Sequence, residues 1–199
     1  MMKEKKKLTS EELKNIISRD TISTFKFYIL DTKAADQIEL WFDELIQDNT
    51  EKVIKLLILS EGCTAEGASK ICKKIQSIPN PIVGIVVRNE DYHLWDLGIA
   101  SILSACDASV LINNYYHKNS KKNSIFQLSL YHYPDKKMDK QLSILNRKLI
   151  NTISQKNKKT YISIKKDITP TAISFGKKLN CEEAKSYGII DMIINNVRE

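Results

Sequence analysis

Few residues in this sequence combine a reactive type with a setting that could use it. The four cysteines, Cys63, Cys72, Cys106 and Cys181, are widely spaced and form no Cys-x-x-Cys pair. That spacing argues against a zinc site and against a disulfide framework. No metal and no cofactor is therefore expected, and a reducing, cytoplasmic compartment is the default. Cys63 follows Gly62 in a turn and begins a helical pattern over 64–78. The positive end of that helix would lower the thiol pKa, and His132 or His93 could serve as its base. The competing reading makes Cys63 a small residue filling a tight turn. Cys72 and Cys106 fall on apolar helix faces and read as small core hydrophobes. His93 and His117 sit in polar stretches with no evident partner.

The elements that must hold these residues follow from hydrophobic spacing. Residues 1–20 read as a charged helical lead-in with a stripe at Leu8, Leu13, Ile16 and Ile17. Residues 25–30 read as a strand, and Ile38, Trp41, Phe42 and Leu45 give 34–47 helical spacing. Trp41, Phe42 and Leu45 are candidates for exposed contact residues. Val53–Leu59 is a nearly continuous apolar run, as expected of a strand covered on both faces. A helix carrying Ala68, Ile71, Cys72, Ile75 and Ile78 follows and stops at Pro79 and Pro81. Ile82–Val87 is a second buried strand, a helix carries Trp95, Ile99, Ile102, Leu103 and Cys106, and Ser109–Asn113 is a third strand. Strands alternating with helices at this spacing must pair in parallel. Further on, 125–131 alternates as a strand, and 137–156 is a long amphipathic helix. The tail is a short helix with Asn180 as N-cap, Glu183 three residues on, and a stop at Gly188.

Composition excludes several classes. The chain has 199 residues, 42% of them apolar, which suits one folded domain rather than a disordered chain. No run approaches the ~20 apolar residues that span a bilayer. The N-terminus lacks the apolar core of a secretory signal. The net charge is +7, from 31 Lys+Arg against 24 Asp+Glu. The excess is lysine, concentrated at the N-terminus, in 118–122 and in 136–159, without interleaved aromatic residues. That pattern describes a solvated surface rather than a nucleic-acid platform.

Several segments, taken in order, resemble the family of the Clp protease proteolytic subunit, ClpP. Leu179–Asp191 (LNCEEAKSYGIID) is similar to the family's tail. Ser60–Val87 resembles its Ser-Pro-Gly-Gly loop, helix and strand. Gly98–Asp107 (GIASILSACD) resembles its small-residue helix, and His132–Pro134 its Ile-His-Gln-Pro. The resemblance spans about 25–195. It implies an α/β fold: a ClpP/crotonase-like βαβ superhelix with a parallel sheet and a protruding strand–helix handle. The implied organisation is a charged helical extension over 1–24 and a single ClpP-like domain over 25–199.

The family activity implied is serine proteolysis, in which loop amides hold the oxyanion. Here the serine position falls on Tyr92, Asp96 or Leu97, after a small insertion at 88–93. No serine lies between Ser77 and Ser101, and Ser101 falls inside the helix. The base would be His132. The aspartate that orients it is replaced by Gly176, and Asp167 lies too far along the chain to substitute. The oxyanion loop keeps Gly62, with Cys63 for the second glycine and Glu61 for the proline. The resemblance therefore implies a subunit of an ATP-dependent Clp-type protease that lacks catalysis. It would act as a structural or regulatory member of a homo- or hetero-oligomeric ring, with ClpP-like siblings and an AAA+ unfoldase as partners. Two alternatives are a crotonase-type acyl-CoA enzyme, for which Glu90 would be the acid group, and a residual hydrolase using Cys63.

Overall fold

The computed structural model describes residues 8–18, 24–27, 31–48, 53–60, 62–88, 94–114, 124–131, 139–157, 159–171 and 176–195. A five-stranded, wholly parallel sheet organises them. Its strands are β1 (Thr24–Phe27), β2 (Ile54–Ile58), β3 (Ile82–Arg88), β4 (Ala108–Asn113) and β7 (Met192–Asn195), paired in that order. A second, antiparallel pair joins β5 (Phe126–Leu128) to β6 (Lys177–Leu179). The helices are α1 (Ser10–Ser18), α2 (Thr32–Asp48), α3 (Ala65–Ser77), α4 (Leu97–Ala105), α5 (Asp139–Lys156), α6 (Tyr161–Ile168) and α7 (Cys181–Ser186).

One face of the sheet carries the main core. Leu56, Ile58, Val86 and Leu111 pack there with Phe42 of α2, Ile71 and Ile75 of α3, Ile99 and Leu103 of α4, and Leu149 and Ile153 of α5. The other face carries a smaller cluster of Val83, Ile85, Ala108, Val110 and Met192 beneath Leu13 of α1. Leu8, Ile16 and Ile17 flank that contact, so the apolar stripe of the lead-in packs on this face of the sheet. Lys55, buried in β2 on this face, sends its Nζ to the Ile17 carbonyl at 3.1 Å and caps the end of α1.

Two aspartates fasten the starts of successive strands. Asp107 Oδ2 accepts from the Ile82 amide at 2.9 Å, and Asp191 Oδ2 accepts from the Ser109 amide at 2.8 Å. Lys156, at the end of α5, donates to Asp191 (2.8 Å), the Ser109 hydroxyl (2.7 Å) and the Leu103 carbonyl (3.2 Å). A single ammonium thereby links α4, α5, β4 and the approach to β7.

Three local readings are corrected. Phe42 is fully buried and Trp41 and Leu45 pack partly against the core, whereas Leu40, 65% exposed, is the large apolar residue that α2 shows to solvent. Trp95 precedes α4 rather than belonging to it. It makes a parallel bridge to Phe126, with its carbonyl accepting from the Gln127 amide at 2.9 Å. Helix α6 and strand β6 have no counterpart in the hydrophobic spacing of the sequence. Among the described residues, no helix is long and apolar enough to cross a membrane.

Candidate functional site

The site forms where the turn after β2 meets the start of α4. Helix α3 begins at Ala65 with Thr64 as its N-cap, the threonine hydroxyl accepting from the Gly67 amide at 3.1 Å. Cys63 therefore lies outside the helix, one residue before the cap. Helix α4 begins at Leu97 with Asp96 as its N-cap, and Asp96 Oδ1 accepts from the Ile99 amide at 2.9 Å. An aspartate at this place satisfies an otherwise orphaned helix amide and puts a negative charge at the positive end of the dipole.

The other carboxylate oxygen looks across to the turn. Asp96 Oδ2 accepts from the Cys63 amide at 3.0 Å and from the Tyr131 hydroxyl at 2.7 Å. The same hydroxyl oxygen accepts from the Gly98 amide at 3.1 Å and lies 2.9 Å from the Cys63 carbonyl. With one proton to give, the phenol directs it at the carboxylate, the shorter and charged acceptor. Tyr131 is itself fixed by α5: its amide donates to Asn146 Oδ1 at 3.0 Å, and Asn146 Nδ2 donates to its carbonyl at 2.9 Å.

Two backbone amides, those of Cys63 and Gly98, thus end on two oxygens only 2.7 Å apart, both supplied by the chain itself. The packing leaves little slack. A side chain at Gly98 would collide with Cys63 Sγ and the Tyr131 hydroxyl, and a Cβ at Gly62 would stand 3.1 Å from Asp96 Oδ2. A cavity of about 310 Å³ opens on the far side of Tyr131, between α5 and α6, lined by Leu130, Leu142, Ile150, Ser143, Asn146 and Tyr161 among others.

The electrostatics reverse the expectation for Cys63. Its thiol is pushed well up, first by burial and then by the Asp96 charge. Sγ lies 3.9 Å from Asp96 Oδ1 and 3.8 Å from the Tyr131 hydroxyl, and among the described residues no cation lowers its pKa. The dipole of α3 does not rescue it, because Thr64 and not Cys63 caps that helix. The Tyr131 hydroxyl is likewise raised, by burial and then by Cys63 and Asp96.

Of the three positions left open for the serine, Asp96 faces the Gly62–Cys63 turn, Leu97 is fully buried in the core, and Tyr92 lies outside the described residues. Ser101 is buried, with its hydroxyl on the Leu97 carbonyl at 2.6 Å and the Leu149 carbonyl at 3.3 Å. Gly176 has φ +106°, and a Cβ there would collide with the Leu128 carbonyl, so the backbone excludes a carboxylate as well as the sequence. Asp167 is occupied elsewhere: it accepts from Lys159 at 3.0 Å and from the Tyr187 hydroxyl at 3.1 Å. His132, His93, His117, Glu61 and Glu90 lie outside the described residues. The sequence carries little to mark Tyr131 as a site residue. Its only signal is its place at the end of an alternating stretch, next to a histidine.

No protein-family model and no curated protein matches the sequence. Among solved structures, the chain is similar to a mutant form of ClpP1 from Listeria monocytogenes, with a TM-score of 0.63 and 20% identity. The likeness covers 92% of this chain and 95% of that one. The fold is thus ClpP-like over nearly its whole length.

Proposed function

We propose that this chain is a ClpP-type subunit whose peptidase centre is closed by its own side chains, and that it serves a structural or regulatory part in a ring of such subunits. One observation carries the reading: the amides of Cys63 and Gly98 already hold the Asp96 carboxylate and the Tyr131 hydroxyl. Acyl transfer needs two such donors free and preorganised for the charge that develops on a substrate oxygen. Here a substrate carbonyl would have to displace a carboxylate from one amide and a phenol from the other. The charge of Asp96 would then stand beside the developing oxyanion and oppose it. On the resemblance of 98–107 to the family, Asp96 is one of the three positions, with Tyr92 and Leu97, that fall where the attacking serine would stand. A carboxylate bound to three donors is a poor nucleophile.

The ring and the AAA+ unfoldase partner come from the family resemblance, with the ClpP-like fold as support. A hydrolase using Cys63 is disfavoured by its raised thiol pKa. The test is a pair of activity probes, one serine-directed and one thiol-directed, together with hydrolysis of a fluorogenic peptide. The expected outcome is neither labelling nor turnover, for the wild-type chain and equally for Asp96→Ser, in which Tyr131 still covers the Gly98 amide. Turnover by the isolated wild-type chain would overturn the reading.

A further inference from the structure

The helical layer has two unlike margins. Helix α2 packs on α3, α3 on α5, and α5 on α6, so α2 and α6 bound the layer at opposite ends. The solvent side of α2 presents Asp36, Asp43 and Glu44 around Leu40, which is 65% exposed. Lys70 of α3 pairs with Asp36 and Glu39 and Lys74 with Asp43 from the side, yet α2 carries five carboxylates against Lys33 within the helix, so these two lysines leave the margin acidic. The solvent side of α6 presents Lys165 and Lys166 around Ile162, which is 77% exposed. Lys177 and Lys178 of β6 are also exposed, and Lys177 is close enough to act on Asp167 of α6. Leu40 and Ile162 are two of the three large aliphatic side chains most exposed among the described residues. The third, Ile144, is on α5, against which α6 packs.

We propose that these margins dock on each other between copies of this chain, the acidic α2 face of one on the basic α6 face of the next. Leu40 and Ile162 would form the apolar centre of the contact, and the charges its rim. This deepens the subunit reading and rests on it. Opposite charge fixes the pairing and the register and speeds encounter, while like faces repel and exclude the two-fold alternative. Because the faces differ and lie at opposite ends, the contact is head to tail, the kind that closes into a ring when the rotation between neighbours permits.

Light scattering across a concentration series, at low and high salt, tests this with two charge-reversed forms, Asp43→Lys/Glu44→Lys and Lys165→Glu/Lys166→Glu. Circular dichroism confirms that each variant is folded. The wild type should self-associate more weakly at high salt. Each reversed form alone should lose association by ~10-fold or more. An equimolar mixture of the two should regain it, because each junction between unlike variants pairs opposite charges again. A wild type that stays monomeric throughout overturns self-docking and leaves an unlike chain as the partner. An oligomer that ignores both reversals overturns the choice of faces. Neither result touches the closed-site reading, which the activity probes decide separately.

Discussion

The Tyr131 hydroxyl stands 2.7 Å from Asp96 Oδ2, and these two atoms, thirty-five residues apart in the chain, take up the amides of Gly98 and Cys63. The pair serves the fold as much as it closes the site. Asp96→Ala would leave the Cys63 and Ile99 amides without their acceptor and remove an N-cap. It should cost about 2–3 kcal/mol in chemical denaturation. Tyr131→Phe keeps the ring but frees the Gly98 amide, with an expected cost of about 1–2 kcal/mol. The two losses should fall short of additive in a double-mutant cycle, since each removes part of one network.

Alkaline pH should destabilise the protein through its buried thiol. In the unfolded chain Cys63 ionises near its ordinary value of 9.0, whereas burial and Asp96 keep it protonated in the fold. The unfolded state therefore releases a proton that the folded state retains. Stability from this group falls by about 1.4 kcal/mol per pH unit above the unfolded value, until the folded thiol itself ionises. Denaturation midpoints from pH 8 to pH 10, compared with those of Cys63→Ala, check this. The variant should show the shallower decline.

Acid should act through Asp167. Burial works to raise its carboxyl, but hydrogen bonds from Lys159 and Tyr187 and the nearby Lys177 outweigh it and hold the group below its ordinary 3.8. Its contribution is fully present above that value and is lost as pH falls through the folded one. Lys159 is 39% and Asp167 29% exposed, so solvent screening limits the contribution to about 1 kcal/mol or less. Asp167→Asn should flatten this part of the acid limb of the stability curve and leave neutral-pH stability within that margin.

Lys156 is expected to be the most costly exposed-type residue to lose. Lys156→Met would keep much of the aliphatic stem but remove the ammonium from the Leu103 carbonyl and the Ser109 hydroxyl and leave Asp191 with its Ser109 donors alone. A loss of about 2–3 kcal/mol is expected, read as a shift in the urea midpoint at unchanged m-value.

The parallel α/β core was legible because its signals are local. VIKLLIL and IVGIVV are too apolar and too short for anything but doubly covered strands, and Asn180, Glu183 and Gly188 mark α7 as its capping box and positive-φ stop require. Helix α6 was missed: it spans only eight residues, and its buried Ile164 and Ile168 are too few to announce a period. Trp95 was misplaced because an indole one step before a helix looks, by spacing, like its first apolar residue. In the site, the lack of a serine between Ser77 and Ser101 and the glycine at 176 are plain in the sequence itself. The filling of the amides is not, because it depends on Tyr131 reaching Asp96 from a distant strand end. The exposed face of α2 was misassigned because Leu40 and Phe42 are equally apolar, and only packing tells which one turns inward.

Asp96 also bears on how such a chain could change over generations. It caps a helix, holds a turn and receives a phenol at once, so its replacement by a hydroxyl residue removes stability before it restores anything else. On the proposed reading, a lineage gaining an attacking group there would need Tyr131 to withdraw as well, and the first of those steps is penalised while the second is still missing. On that same reading, the arrangement resists change one substitution at a time.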